Sequence, residues 1–280
     1  MSATLSAAPT AKKLDIDSPY YVTPEQIAFF REQGYIKLKH VLSPEVLAHY
    51  GAQITRKVKE LNTVNVPLEQ RNTYGKAFLQ IMNIWTKCAV VKEFVFGQRL
   101  ARLATELLGT RGVRMYHDQA LYKEASGGHT PWHADQHYWP LSNANTCTAW
   151  IPLQAVPMEM GPLAFAVKSH QCKLGRDLSI SDESERALAK MLRERNFEVV
   201  DTPFELGEIS FHYGWTFHRA GPNTSNKARE VMTIIYMDQD MKLAEPKNQS
   251  QKNDKEGWCP GVKIGEVIDI PTTPLMYTKG

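Results

Sequence analysis

Hydrophobic residues in the first third of the chain recur at the three- to four-residue spacing of amphipathic helices. The segment Thr23–Gln26 has the capping-box pattern Thr-Pro-Glu-Gln, and the apolar positions after it end at Gly34, which predicts a short helix. Ser43, followed by Pro and Glu, opens a second predicted helix that continues to about Leu61. A third helical pattern covers residues 91–109.

From about residue 112 the pattern changes to short runs rich in β-branched and aromatic residues, which are typical of strands. These runs are 113–123, 146–154, 163–167, 204–212 and 229–237. One helical pattern interrupts them at 181–195 and begins at the capping residues Ser181 and Asp182. Helices followed by many short strands predict a mainly β fold with flanking helices, either a sandwich or a barrel. We expect residues 1–19 to form a flexible N-terminal tail and residues 20–280 to form a single domain, because no linker divides them.

Composition narrows the class of protein. The net charge is only +3 over 280 residues, without a dense run of Lys or Arg, so we expect neither nucleic acid nor a membrane surface as a partner. No apolar run approaches the ~18 residues of a membrane span, and the N-terminus lacks the apolar stretch of a secretory signal. Four scattered cysteines, none in a Cys-x-x-Cys pair, favour reduced thiols and a cytoplasmic location.

The stretch TPWHADQHYWP, residues 130–140, carries the first candidate chemistry. In a strand, residues i and i+2 point to the same face, so His133 and Asp135 are predicted to project into one cavity. An imidazole and a carboxylate are two of the three ligands of the 2-His-1-carboxylate triad, which leaves open positions on iron(II). By itself this motif is weak, because the chain contains nine histidines.

A third ligand is expected on a distant strand, and residues 211–230 offer His212 and His218 together with Arg229. Gly214 interrupts the run after His212, which favours His218 as the ligand. Iron that activates dioxygen needs a two-electron co-reductant, and a 2-oxo acid suits this need because its keto acid end chelates the metal. Its far carboxylate needs a fixed cation, for which the planar guanidinium of Arg229 is suited.

These segments resemble the phytanoyl-CoA dioxygenase family of iron(II)- and 2-oxoglutarate-dependent oxygenases. The resemblance runs from about residue 23 to residue 238, and its motifs are TPWHADQHYWP, CTAWIPL, MGPLAFAVKSH and HRAGPN. It implies a double-stranded β-helix, a cupin-like jelly roll, with iron(II), 2-oxoglutarate and dioxygen as cofactor and co-substrates. It implies that iron is held by His133, Asp135 and His218, and that 2-oxoglutarate is held by Arg229 and lined by Trp150, His170 and Gln119. Some relatives have a hydroxylated residue two positions after the distal histidine, where this chain has Ala220.

Aromatic and polar residues around these motifs are candidates for the substrate pocket. Those next to the first ligand pair are His137, Tyr138 and Trp139, and those in the earlier segment 74–85, which resembles a capping segment of relatives, are Phe78, Gln80, Asn83 and Trp85. Buried aromatic residues are more often plain core, which is the alternative for each of them. Residues 248–261 are either an ordered C-terminal flap or a mobile tail.

The predicted activity is hydroxylation, or another oxidation, of an unactivated C–H bond in a small metabolite, with release of succinate and carbon dioxide. A zinc or manganese hydrolase or isomerase on a cupin-like barrel is the alternative enzyme, since the same ligands suit those metals. A non-catalytic binding protein on the same barrel is the third alternative. The identity of the substrate, a CoA thioester or not, and the oligomeric state are left open by the sequence.

Overall fold

A computed structural model of the protein describes residues 14–280. Within this range most helices precede the strands, as the pattern of hydrophobic positions predicts. The α-helices are α1 Pro24–Gln33, α2 Pro44–Leu61, α3 Thr73–Ala77, α4 Ala89–Val95, α5 Gln98–Leu108, α6 Asp182–Glu194 and α7 Gln249–Trp258. None of them combines the length and the apolar character that crossing a membrane requires.

The caps that the sequence predicts are present. Thr23 accepts from the backbone N–H of Gln26, the side chain of Gln26 accepts from the N–H of Thr23, and Gly34 ends α1 in the left-handed conformation with φ 89°. Ser181 likewise caps α6. The single helix expected over 91–109 is instead two helices, α4 and α5, because the chain turns at Gly97, where an added Cβ would lie 3.0 Å from a backbone oxygen.

The strands form two separate antiparallel sheets. They are β1 Tyr35–Leu38, β2 Leu79–Met82, β3 Gly112–Lys123, β4 Thr130–His133, β5 Thr146–Pro152, β6 Leu163–Ala166, β7 Val199–Asp201, β8 Ile209–Tyr213, β9 His218–Ala220, β10 Arg229–Asp238 and β11 Leu275–Thr278. The larger sheet has the order β1-β8-β5-β10-β3-β11, with β2 also paired to β3, and the smaller has the order β4-β9-β6-β7. This confirms the mainly β fold with flanking helices; the sheets do not join into a closed barrel.

Alternation along β10 shows how the two faces of the larger sheet differ. Met232 and Ile234 belong to the main hydrophobic core, where Ile54 of α2, Phe94 of α4 and Leu103 of α5 cover the outer face. Their neighbours in sequence point to the other face, toward the smaller sheet. The space between the two sheets is therefore where the site develops.

Part of the predicted tail is packed against the domain. Ile16 is buried in the core, its carbonyl accepts from the backbone N–H of Arg99, and Asp15 pairs with the guanidinium of Arg99 at 2.6 Å. The Ile16 side chain packs into the core beside α5. The predicted tail over residues 1–19 therefore includes residues 14–19, which contact the domain. Residues 1–13 lie outside the described residues, and the single domain over 20–280 stays a prediction.

Candidate active site

A cavity of about 230 Å³ lies between the two sheets. The larger sheet contributes side chains from β2, β3, β5, β8 and β10, and the smaller sheet contributes β4, β6 and β9. Further walls come from α3, from the segment after β4, and from α7. Such a cleft, mostly apolar with a few convergent polar groups, is the usual form of a small-molecule site.

The three predicted metal ligands converge in this cavity. His133 ends β4 and His218 begins β9, and the two are direct register partners with ring centroids 4.1 Å apart. One donor atom from each of them and one oxygen of Asp135 all lie within 4.8 Å of one another. The local geometry differs from the predicted strand, because β4 ends at His133 and Asp135 begins a 3-10 turn over 135–137. The turn, rather than a two-residue strand repeat, brings the carboxylate to the imidazoles.

Both imidazoles are set up as neutral ligands. The Nδ1 atom of His133 lies 2.8 Å from the carbonyl oxygen of Pro131, and that of His218 lies 2.9 Å from the carbonyl oxygen of Thr216. A carbonyl oxygen only accepts, so each Nδ1 carries the proton and each Nε2 is left with its lone pair. Burial lowers the pKa of His133 to about 3 and that of His218 to about 4, which keeps both rings neutral near pH 7.

Asp135 is oriented by two further polar side chains. Its Oδ1 faces the Nε2 atoms of His133 at 3.7 Å and His218 at 3.6 Å. Its Oδ2 accepts a hydrogen bond from the Thr148 hydroxyl at 2.8 Å and lies 3.3 Å from Nε2 of His212. Burial alone favours the neutral acid, but the interactions with the three histidines hold the pKa of Asp135 below its usual range. One oxygen is thus turned toward the ligand cluster and the other is fixed by its neighbours.

His212, the alternative third ligand, lies in the same cavity but has a different position. Its ring centroid is 4.4 Å from that of His218, yet it does not belong to the cluster of three ligand atoms. β8 pairs it with Thr148 of β5, and both side chains reach the same carboxylate oxygen. Sequence reasoning missed this supporting role because it depends on the register of β8 against β5.

Arg229 is buried at the start of β10, 2% exposed, and its guanidinium lies 5.4 Å from the ring centre of Trp150. Nη1 donates to the carbonyl oxygen of Gly161 at 2.6 Å, while Nε has no hydrogen-bond partner among residues 14–280. Gly161 is required there, since its φ is +66° and an added Cβ would lie 2.1 Å from a backbone oxygen. Burial lowers the pKa of Arg229 to about 9, so the group remains charged at neutral pH.

A threonine hydroxyl lies opposite Ala220, the position where some relatives have a hydroxylated residue. Thr130 is the register partner of Ala220 across β4 and β9, and it lines the cavity while almost fully buried. Its Oγ1 accepts from Nζ of Lys123 at 3.3 Å, and Lys123 is itself the register partner of Arg229. Because this hydroxyl accepts from Nζ of Lys123, its own proton is free to donate. The strand register is the only signal for this position.

Besides Arg229, six of the predicted co-substrate and pocket residues line the cavity: Gln119, Trp150, Phe78, Gln80, Tyr138 and Trp139. A chain of hydrogen bonds links two of them, because the Gln80 amide donates to the Gln119 oxygen at 2.5 Å. The hydroxyl of Tyr74, which sequence analysis did not single out, donates to the Gln80 oxygen at 2.7 Å. This chain fixes the orientation of both amides along β2 and β3.

Two predicted histidines do not line the cavity. His170 stacks on Tyr213 with ring centroids 5.2 Å apart, and its Nε2 lies 3.1 Å from the carbonyl oxygen of Arg31. The ring of His137 contacts the carbonyl oxygen of Arg176 at 2.9 Å and the Ser179 hydroxyl at 3.0 Å. The 3-10 turn brings Asp135 to the cavity and points His137 away from it. The two-residue repeat of a strand, which predicted that Asp135 and His137 share a face, therefore does not apply here.

Two predicted residues of the segment 74–85 also lie outside the cavity. β2 ends at Met82, and Asn83 adopts the left-handed conformation with φ 48°, where its side-chain oxygen accepts from the N–H of Asp118. Trp85 packs against Phe96 with ring centroids 5.3 Å apart. Asp118 in turn accepts from the N–H groups of residues 84 and 85, so this part of the segment forms a structural turn.

The C-terminal segment 248–261 is mainly helical, and α7 forms one wall of the cavity. Asp254 and Trp258 of α7 line the cavity together with His117 of β3. The Gln251 amide donates to the carbonyl oxygen of His137 at 3.0 Å and attaches α7 beside the ligand-bearing turn. Sequence analysis did not predict this face of α7, because the segment is polar in composition and Asp254 and Trp258 are its only cavity-lining residues among those described.

Comparison with known proteins agrees with this geometry. The family model described as phytanoyl-CoA dioxygenase matches residues 30–231. The chain is 24% identical over 229 residues to a probable alpha-ketoglutarate-dependent hypophosphite dioxygenase of Stutzerimonas stutzeri, covering 76% of this chain and 77% of the relative.

Solved structures show the same fold. The alpha-ketoglutarate-dependent carbocyclase SnoK of nogalamycin biosynthesis superposes with a TM-score of 0.75 at 24% identity, covering 92% of this chain and 99% of SnoK. The epimerase SnoN, in complex with Fe3+, alpha-ketoglutarate and nogalamycin RO, superposes with a TM-score of 0.74 at 23% identity. The superposition covers 90% of this chain and 98% of SnoN. The family model spans well over half of the sequence and includes all three candidate ligands. The chain therefore belongs to the phytanoyl-CoA dioxygenase family of iron(II)- and 2-oxoglutarate-dependent oxygenases.

Proposed function

We propose that this oxygenase oxidises an unactivated C–H bond of a small molecule, with iron(II) held by His133, Asp135 and His218 and 2-oxoglutarate held by Arg229. The observation that carries this proposal is the convergence of two neutral imidazoles and one ionised carboxylate within 4.8 Å, in a cavity that also contains a buried guanidinium. Hydrolysis requires no 2-oxo acid co-substrate, so the buried guanidinium favours the oxygenase over a hydrolase.

The donor set fits iron(II). Two imidazole nitrogens and one carboxylate oxygen from one side leave other positions open for a chelating co-substrate and dioxygen. Iron with 2-oxoglutarate supplies oxidising power at the expense of decarboxylating the 2-oxo acid to succinate and carbon dioxide. The protein's part is to fix the three ligands, and the carbonyl oxygens behind both imidazoles and the hydroxyl of Thr148 do this.

The far end of the cavity fits the distal carboxylate of 2-oxoglutarate. The buried Nε of Arg229 has no hydrogen-bond partner in the described part of the chain, and an anion would satisfy it. The Thr130 hydroxyl, opposite Ala220, is a second donor for the same carboxylate. Gln119 and Trp150 form the walls between this end and the metal ligands, because both line the cavity from the two strands that flank β10, where each is a register partner of Thr233.

Anaerobic titration of the metal-free protein with iron(II) and then 2-oxoglutarate tests the proposal. We expect a weak visible charge-transfer band from the chelated 2-oxo acid. At modest 2-oxoglutarate concentration the band should weaken in Arg229→Met and be absent in His218→Ala. Tight zinc or manganese binding without such a band would overturn the assignment and favour the hydrolase or isomerase.

The proposal extends to partners and location. A small-molecule substrate fits a cavity of about 230 Å³ that the co-substrate also shares. We propose no nucleic acid or membrane partner, on the ground of the small net charge of +3. The four cysteines are unpaired, as expected in a reducing compartment, which supports a cytoplasmic location.

A further inference from the structure

A carboxylate without a cationic partner faces the cavity from α7. The Tyr116 hydroxyl donates to Oδ2 of Asp254, and the side chain of Trp258 also hydrogen-bonds to it. Within residues 14–280, no Lys, Arg or His nitrogen lies within 4.0 Å of this carboxylate. Burial raises the pKa of Asp254 to about 7, which is the response of a carboxyl group that no cation stabilises.

Asp254 lies toward the opposite end of the cavity from Arg229. Arg229 pairs with Lys123 at one end of β3, whereas Asp254 is bound to Tyr116, seven residues earlier on the same strand. Seven strand residues span roughly 20 Å, so Arg229 and Asp254 approach the cavity at well-separated positions along β3. The metal ligands belong to the end near α7. Thr148, which donates to Asp135, pairs with Ile235 of β10. Ile235 is in turn the register partner of His117, which lines the cavity together with Asp254 and Trp258 of α7.

The charges of the loaded site leave Asp254 unbalanced. Iron(II) and Arg229 offset Asp135 and the two carboxylates of 2-oxoglutarate. Burial lowers the pKa of Lys123 to about 6, so that this side chain adds little charge at neutral pH. An ionised Asp254 is then an excess negative charge in a buried cavity, which is costly unless a cation accompanies it.

The walls beside Asp254 are aromatic. Trp258 and Trp139 line the cavity, and each lies near His117, with ring centroids 5.5 Å and 6.3 Å from that imidazole. Tyr138 completes this side. Indole and phenol faces attract cations through the ring quadrupole, and a carboxylate between such rings is a recurring arrangement for binding amines.

We infer that the end of the cavity formed by α7 binds the ammonium group of a small cationic amine substrate, with Asp254 as its counter-ion and the rings of Trp139, Trp258 and Tyr138 as its walls. This inference rests on the proposed function, since it concerns the substrate of the same site. Anchoring the ammonium group beside α7 places the carbon chain of the amine next to the metal ligands.

A purely structural role for Asp254 is the competing explanation, because its bond to Tyr116 attaches α7 to β3. Two variants separate the roles. Asp254→Asn keeps an oxygen that accepts from Tyr116 and removes the charge, whereas Tyr116→Phe removes that bond and keeps the charge. The hydrogen bonds of Asn248 and Gln251 to the carbonyl oxygen of His137 hold α7 in both variants.

The probes are n-butylammonium and 1-butanol, which match in length and differ in charge. They are titrated anaerobically into the full chain loaded with iron(II) and 2-oxoglutarate, with ligand-observed NMR on the zinc-loaded protein as a second measure of binding. We expect the ammonium probe to bind roughly 10- to 100-fold more tightly than the alcohol, the range for a hydrogen bond to a charged group. This preference should be lost in Asp254→Asn and retained in Tyr116→Phe.

Equal binding of the two probes to the unmodified protein overturns the inference without any variant. A preference that persists in Asp254→Asn overturns it as well. The charge-transfer band reports separately on the proposed function: a normal band with no ammonium preference refutes the substrate class alone, whereas absence of the band refutes the oxygenase site.

Discussion

Replacing Thr148 by valine tests whether the orientation of Asp135 matters for metal binding. Valine has nearly the shape of threonine and fits the same buried position on β5, but it cannot donate the 2.8 Å hydrogen bond to Oδ2 of Asp135. Of the two contacts described for Oδ2, the longer one to His212 at 3.3 Å then remains. We expect iron(II) to bind more weakly, because the carboxylate is no longer held with one oxygen toward the cluster.

The size of the effect follows from the type of bond. A hydrogen bond to a charged group contributes about 1.5–3 kcal/mol, and a change of about 1.4 kcal/mol is tenfold in a binding constant. Groups that orient metal ligands typically change affinity by about 10- to 100-fold. Since His212 still contacts Oδ2, we expect a loss near the lower limit, about tenfold.

The same strand offers a matched control. Thr146 is also fully buried on β5, and its hydroxyl donates to the side-chain oxygen of Gln136, the residue next to Asp135, at 2.9 Å. Thr146→Val removes a comparable buried hydrogen bond without touching the carboxylate. Affinity is measured by anaerobic competition between each protein and a coloured chelator for iron(II), and thermal unfolding is measured on the metal-free proteins.

We expect the two variants to lose similar stability and only Thr148→Val to lose iron affinity. Equal iron affinity in Thr148→Val and the unmodified protein would refute the reasoning. Equal losses of affinity in both variants would also refute it, because the cause would then be general loosening of β5.

Four further predictions follow from the same contacts. Asp135→Ala should abolish turnover and weaken iron(II) binding by at least tenfold, because the only anionic ligand is lost; full turnover in a succinate assay would contradict its role. Arg229→Met should raise the 2-oxoglutarate concentration at half-maximal charge-transfer absorbance by more than tenfold, and unchanged binding would exclude this residue from the co-substrate site. Thr130→Val should raise the same concentration by several-fold without changing iron affinity, whereas an effect on iron would point to a structural role. Burial raises the pKa of Asp118 to about 7, above its value in the unfolded chain, so its contribution to stability is lost as the pH rises from about 4 to 7; Asp118→Asn should flatten that part of a denaturation series, and an unchanged slope would refute the assignment.

The sequence by itself determined the chemistry of the ligands and the class of fold. The hydrophobic periods of 3.6 and 2 are local properties of a chain, so the helices α1, α2 and α6 and the main strands agree with prediction. The sequence also predicts His133, Asp135, His218 and Arg229 as site residues, from motifs that resemble one family, and all four line one cavity. The local geometry did not follow, since Asp135 reaches the cluster through a 3-10 turn.

Only the tertiary structure decided which other side chains meet at the cavity. Thr130 stands opposite Ala220, and His212 meets Thr148 at one carboxylate oxygen, because of strand registers that no local pattern encodes. Asp254 reaches the site from a helix more than 100 residues beyond Asp135 in sequence, within a segment whose polar composition is typical of a tail. The physical reason is common to all these cases: contacts between distant residues depend on how sheets and turns are assembled, and a one-residue change in register or a short turn reverses which side chains face inward.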